Sequence, residues 1–177
     1  MCVGLRDGNR PERVLSMESN NIVLIQYIHD GKCKELIDEL KKDKTLINSV
    51  VDWHGDRLLA LACWSGKHDI VHALMEFKDP ACDLNAQNES LSTALHRAAH
   101  KNDVELVNKL IDAGADFNMK DRMGRTAYNL GDDDVKAAIQ VYVDAVIAKY
   151  EAEERERLTS KMISFAFLLY VCVYMIY

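Results

Sequence analysis

The sequence contains few residues that break regular structure, with only 8 Gly and 2 Pro among 177 residues. This scarcity argues against a turn-rich all-β fold and favours helices. A basic excess is also missing, since 22 Lys and Arg face 28 Asp and Glu and the formal charge is -6. A nucleic-acid-binding protein usually shows the opposite balance, so none of the expected partners is a nucleic acid. The 5 Cys are odd in number and include no Cys-x-x-Cys pair, which argues against disulfides and cysteine zinc sites and for a reducing, cytoplasmic compartment.

The two ends of the chain differ sharply in composition. Residues 1–16 contain no apolar stretch long enough for a signal peptide, and they are interpreted as an unstructured leader. Residues 162–177 carry no charge and follow a charged segment, 151–161, whose basic residues would stay on the cytoplasmic side of a membrane. As a helix this tail extends about 24 Å, against about 30 Å for a bilayer core. It is a candidate transmembrane anchor; a docked element and translated non-coding sequence are the alternatives.

A repeat runs through the middle of the chain. Its units begin at Leu24, Leu59 and Leu95, with Tyr128 in the fourth place, at spacings of 35, 36 and 33 residues. In the third unit, apolar residues recur at helical spacing on two short helices. Such a period is typical of a protein built from stacked copies of one small structural unit.

Three segments of the repeat resemble the ankyrin repeat: TALHRAA at 93–99, DAGADFN at 112–118 and DRMGRT at 121–126. The resemblance covers residues 20–150, although the second unit has Arg57 and Ala60 where the pattern has Thr and His. It implies an all-α solenoid of about three and a half helix-turn-helix units with β-turn fingers. Apolar residues from Val135 to Tyr150 recur at helical spacing and predict a long C-terminal helix. The predicted organisation is a leader (1–16), a repeat domain (17–150), a charged helical linker (151–161) and the tail (162–177).

Few residues suggest chemistry. His68 and His72 share one helix face and resemble half of a zinc-hydrolase motif, but no third ligand is evident. His96 is the signature histidine of the repeat, which implies bonds to Thr93 and to backbone. Cys63 falls on a core position and is interpreted as an inert thiol. We therefore expect no catalytic, cofactor-binding or metal-binding residue; bound zinc would support the rival hydrolase hypothesis.

The resemblance also implies where a partner binds, because ankyrin domains use their finger tips and the exposed face of each first helix. Both tryptophans of the chain, Trp53 and Trp64, fall on that surface, and Trp is a residue type that often dominates interface energy. The predicted partner-binding residues are Trp53, His54, Asp56, Trp64, Ser65, Glu89, Ser90, His100, Lys101, Arg122, Met123 and Arg125.

The predicted function is non-catalytic protein–protein binding by a monomer through the concave face of the solenoid. One alternative is a tail-anchored adaptor that recruits a partner to a membrane, with the repeats facing the cytosol. Another is a soluble assembly chaperone, because the first unit loosely resembles proteasome-associated ankyrin proteins. The identity of the partner does not follow from the fold.

Overall fold

The computed structural model describes the backbone of residues 19–176 and the side chains of residues 21–159. The predicted leader, 1–16, lies outside the described residues. The helices are α1 (Ser19–Asp30), α2 (Cys33–Lys42), α3 (Leu58–Trp64), α4 (His68–Met75), α5 (Ala94–His100), α6 (Val104–Asp112), α7 (Ala127–Leu130) and α8 (Asp133–Ile176), with a 3-10 helix at Lys44–Asn48.

The predicted all-helical solenoid is confirmed. Between residues 19 and 176 the backbone forms no β-strand, only two isolated bridges. Successive helices pair as α1 with α2, α3 with α4, and α5 with α6, while the first helices of the units pack in the order α1, α3, α5, α7. Each unit therefore buries its apolar faces against its neighbours in sequence, as expected for a repeat protein.

Each helix pair turns at a residue with a positive φ angle. Gly31 has φ 72° and Gly66 has φ 63°, and Asn102 takes the same place in the third unit with φ 56°. Glycine adopts this left-handed conformation without steric penalty, and Asn tolerates it better than most residues. The turn chemistry thus repeats at the same spacing as the helices.

Side chains at the helix starts differ between units. Thr93 and His96 form a reciprocal capping box at α5, and Thr126 and Asn129 do so at α7. The start of α3 lacks such a cap because Arg57 stands in the Thr position. Its guanidinium instead donates to the backbone carbonyls of residues 48 and 87, at 3.0 and 3.2 Å. The departure in the second unit therefore ties that unit to its neighbours.

The core follows the apolar stripes of the sequence. Its largest fully buried side chains are Leu24, Ile28, Leu36, Leu40, Ile47, Leu58, Leu59, Ile70, Leu74, Leu95, Leu106 and Leu110. Tyr128 departs from this pattern, because it is 37 % exposed although it stands where the other units have a buried leucine. The helix that carries this ring, α7, is a single turn of four residues, and it packs against α5.

The predicted long C-terminal helix is confirmed as α8, which begins after an Asp132 cap that accepts from the backbone N–H of Val135 at 3.1 Å. Two compact units divide the chain, the first ending at Lys136 and the second beginning at Ala137. The side chains of the predicted anchor, 162–177, lie outside the described residues. Within the described part of the chain, none of the helices combines the length and apolar character needed to cross a bilayer.

Candidate functional site

Three β-turn fingers precede α3, α5 and α7: finger A (52–55), finger B (88–91) and finger C (121–124). Each is held by the side-chain oxygen Oδ1 of its first residue, which accepts from the backbone N–H groups two and four residues later. The distances are 3.0 and 2.8 Å for Asp52, 2.9 and 2.9 Å for Asn88, and 2.8 and 2.9 Å for Asp121. Asp and Asn suit this place because their short side chains reach nearby backbone amides.

Backbone hydrogen bonds join neighbouring fingers into a row. The N–H of Glu89 donates to the carbonyl of His54 at 3.1 Å, and the N–H of Arg122 donates to the carbonyl of Ser90 at 2.9 Å. The Arg122 guanidinium adds a bond to the Glu89 carbonyl at 2.6 Å. Backbone hydrogen bonds, with this one side-chain contact between fingers B and C, therefore set the spacing between the finger tips.

Finger B differs from the others at its last residue. Gly55 and Gly124 close fingers A and C at φ 78° and 75°, whereas Leu91 closes finger B at φ 58° and is 43 % exposed. The left-handed conformation costs a side-chain-bearing residue roughly 1–2 kcal/mol. Gln87 supports it by donating to the Leu91 carbonyl at 2.8 Å. Reasoning from sequence missed this exposed apolar residue, although a leucine in the glycine position of a finger was the available signal.

A buried ion pair lies beneath fingers A and B. Asp56 is 3 % exposed; its Oδ2 lies 2.5 Å from Nη2 of Arg97, and its Oδ1 accepts from the Asn88 amide at 2.7 Å. Asp56 is therefore unavailable to a partner, contrary to the prediction that it belongs to the binding surface. Its role is to hold Arg97. This role could not be predicted from the sequence, because the two residues stand 41 positions apart.

His96 links α5 to finger C. Its Nδ1 accepts from the backbone N–H of Thr93 at 3.2 Å, so the proton lies on Nε2, which donates to the Arg125 carbonyl at 3.1 Å. Burial lowers the pKa of His96 and keeps the ring neutral. The expectation that this histidine bonds Thr93 and backbone is confirmed.

Asp121 of finger C anchors Arg125, the residue that follows the finger. Burial alone would raise the pKa of Asp121, but hydrogen bonds from the backbone and guanidinium of Arg125 outweigh that effect and lower it. The guanidinium meets Oδ2 through Nε at 2.9 Å and Nη2 at 2.8 Å. The Arg125 side chain remains 45 % exposed, so its guanidinium is fixed in place by Asp121 and still faces solvent.

Trp64 ends α3 and lies among basic side chains of the next unit. Its ring centroid is 4.4 Å from Nζ of Lys101, 5.2 Å from Cζ of Arg97 and 5.4 Å from the ring of His100. A cation over an aromatic face is attracted by the ring quadrupole. Trp64 is 37 % exposed, so it both supports these cations and presents part of its own face.

The finger tips carry large exposed apolar side chains. Trp53 is 75 % exposed with its ring centroid 3.5 Å from that of His54, and Met123 is 74 % exposed. The tips of fingers A and C therefore each present a large apolar side chain to solvent.

A cleft of about 260 Å³ lies between the fingers and α5. It is lined by His54, Asn88, Ser90, Ser92, His96, Arg97, His100, Asp121, Arg125 and Leu130. The predicted partner-binding residues His54, Ser90, His100 and Arg125 are thus brought together in its wall. Ser65, also predicted, is half-buried at the end of α3. Sequence reasoning missed Arg97 and Ser92, which only the packing of α5 against the fingers brings to the cleft.

The two histidines of the zinc-like motif are engaged elsewhere. His68 has Nε2 2.7 Å from Oδ2 of Asp103 and Nδ1 3.5 Å from Oε2 of Glu105, whereas His72 lies 3.5 Å from Glu76. Among residues 21–159, His, Cys, Asp and Glu form no group of three or more that is placed to hold a metal ion.

Burial makes the thiols of two cysteines of the repeat, Cys63 and Cys82, poorly reactive. Cys63 is fully buried, and burial raises its pKa far above the ordinary range, as expected for an inert core thiol. Burial also raises the pKa of Cys82 to about 12.

Stacked helix pairs that project β-turn fingers over a polar cleft define a repeat protein with the build of a binding module. The family described as ankyrin repeats (3 copies) matches residues 22–121, more than half of the chain. The chain belongs to the ankyrin-repeat family.

Curated relatives match this chain over part of its length. The nuclear factor NF-kappa-B p105 subunit of Gallus gallus is 29 % identical over 100 residues, which are 56 % of this chain and 10 % of that protein. Alpha-latrocrustotoxin-Lt1a of Latrodectus tredecimguttatus is 39 % identical over 66 residues, or 37 % of this chain and 4 % of the toxin. Alpha-latroinsectotoxin-Lt1a of the same spider is 38 % identical over 73 residues, which are 41 % of this chain and 5 % of that toxin. The chain spans a tenth or less of the length of these relatives, so their names describe much longer proteins.

Proposed function

We propose that this protein is a non-catalytic binding module that holds a segment of a partner protein on its finger surface. The finger surface is defined as the tips of fingers A–C, the cleft and the exposed or half-buried residues at the ends of α3 and α5. Its proposed contact residues are Trp53, His54, Trp64, Ser65, Glu89, Ser90, Leu91, His100, Lys101, Arg122, Met123 and Arg125. Membership of a family whose repeats mediate protein–protein interactions supports the general role.

The observation that carries the proposal is the exposure of Trp53. An indole that is 75 % exposed at a finger tip leaves a large apolar area in water, and covering it with a partner releases that water. Its ring centroid is 3.5 Å from that of His54, and the neighbouring finger B carries the exposed, charged Glu89. An apolar centre with a polar rim is the common anatomy of protein interfaces.

The experiment is affinity capture with the intact chain and with Trp53→Ala, followed by a binding titration against the captured protein. Trp53→Ala should weaken binding by about 2 kcal/mol if the indole is a hot spot, and it should leave the melting temperature unchanged because the ring is mostly exposed. Tyr150→Ala is the matched control, since this aromatic residue is 70 % exposed on α8. Equal affinity of Trp53→Ala and wild type for every captured protein would reject the finger surface as the binding site.

No observation on the described residues favours the two alternatives, the tail-anchored adaptor and the assembly chaperone. The binding module is therefore the function that the geometry supports best.

A further inference from the structure

The acidic and basic side chains of the cleft lie at different depths from the solvent. Its carboxylates lie low, with Asp56 beneath it 3 % exposed and Asp121 in its wall 8 % exposed. Its cations lie higher, since the side chains of Arg97 and Arg125 are 22 % and 45 % exposed. A molecule that enters from solvent meets the basic groups first.

Both buried carboxylates also accept hydrogen bonds from protein donors. Asp56 gives one oxygen to Arg97 and the other to Asn88, at 2.5 and 2.7 Å. Asp121 gives Oδ1 to the backbone of finger C and Oδ2 to the guanidinium of Arg125. Asp121 thus accepts four contacts from the protein, and Asp56, at 3 % exposed, is too deeply buried to meet a ligand.

The hydrogen-bond donors at the cleft, in contrast, outnumber the acceptors that the protein offers them. Nε of Arg97 is buried and has no hydrogen-bond partner within the described part of the chain. His54 and His100 are exposed in the cleft wall, and Lys101 lies beside it over Trp64. The surplus calls for a ligand that brings acceptors and negative charge.

The size of the cleft narrows the class of ligand. At about 260 Å³ it falls below the roughly 300–1,000 Å³ of pockets that enclose whole small molecules. It suits side chains that enter from a longer chain lying along the fingers. A nucleic acid is disfavoured because the chain as a whole carries a charge of -6.

We propose that the cleft receives an acidic side chain, Asp or Glu, of an extended protein segment that lies across fingers A–C. This inference rests on the proposed function and specifies the partner as an acidic peptide segment. Trp64 is a positioning residue in it, because its ring lies within 5.2 Å of Arg97 and 4.4 Å of Lys101 and steers both cations. The carboxylate would meet Arg97, His100 and Arg125, which all line the wall.

The test uses the full chain and a fluorescein-labelled octaglutamate peptide, with octaserine and octalysine peptides for comparison. Fluorescence anisotropy at about 20 mM salt should show binding of octaglutamate alone, and raising salt to about 200 mM should weaken it roughly fivefold, because screening acts on exposed charges. In ¹H–¹⁵N spectra, the Trp64 indole and the amides of Ser92 and Arg125 should shift as octaglutamate is added.

Variants separate the cleft from the general charge of the protein. The double change His100→Gln with Lys101→Gln should weaken octaglutamate binding about tenfold, and both side chains are exposed, so folding is preserved. Lys109→Gln is the matched control, since this lysine lies on α6 and pairs with Glu105 at 2.7 Å. Equal loss in the control and the double variant, or tighter binding of a single-stranded RNA than of octaglutamate, would overturn the proposal.

The two proposals fail separately. If octaglutamate does not bind while Trp53→Ala still loses its captured partner, the finger surface binds protein and the acidic specificity is wrong. If octaglutamate binds and shifts the Trp64 indole while Trp53→Ala retains every partner, the cleft takes acidic side chains and the finger tip is not the hot spot.

Discussion

Replacing Arg97 with Met should destabilise the repeat domain far more than replacing a lysine in an ion pair of similar length. Arg97→Met leaves the Asp56 carboxylate, which is 3 % exposed, with the Asn88 amide as its remaining side-chain partner. Breaking a buried pair by removing one member typically costs about 3–5 kcal/mol. Because the Arg97 side chain is still 22 % exposed, water can reach the site, and we expect about 2–3 kcal/mol.

The matched control is Lys109→Met. Lys109 and Glu105 are separated by 2.7 Å, close to the 2.5 Å of Arg97 and Asp56, but their side chains are 37 % and 63 % exposed. Exposed pairs four residues apart on a helix contribute only about 0.3–0.5 kcal/mol. Burial, and not distance, should therefore separate the two variants.

Urea unfolding followed by far-ultraviolet circular dichroism measures both changes. A small domain has roughly 5–15 kcal/mol in total, so the Arg97→Met midpoint should move clearly while the slope is retained. The double variant Asp56→Asn with Arg97→Met should recover part of the loss, because it removes the unpaired buried charge. Equal losses in Arg97→Met and Lys109→Met, or no recovery in the double variant, would refute the reasoning.

Three further outcomes follow from buried residues. The free energy of unfolding should fall as pH drops below about 6.5. Burial holds the pKa of His96 below its value in the unfolded chain, so protonation favours the unfolded chain. Calorimetry across pH should show a flatter pH dependence of stability for His96→Gln than for the wild type. Leu95→Ala should cost about 2–5 kcal/mol, and Leu24→Ala less, since the first unit has one neighbour in the array; equal shifts of the urea midpoint would contradict this ranking. A thiol reagent should modify half-buried Cys33 in the folded protein and leave fully buried Cys63 untouched, as mass mapping of labelled peptides would reveal.

The sequence by itself determined the repeat. Leu24, Leu59 and Leu95 mark units whose helices, caps and turns are set by neighbouring residues, and each of these features has a local cause. The finger geometry is equally local, because Asp52, Asn88 and Asp121 each bond backbone groups no more than four residues away. Short-range rules of this kind repeat with the sequence, so the all-α solenoid could be predicted from it.

Only the tertiary structure decided which polar residues serve the cleft. Asp56 and Arg97 are 41 residues apart, and nothing local indicates that one is buried to hold the other. The same holds for His96, whose Nε2 reaches the Arg125 carbonyl 29 residues away, and for the cations gathered around Trp64. Burial and long-range pairing depend on how one unit stacks on the next, and this stacking separates the exposed residues from the supporting ones.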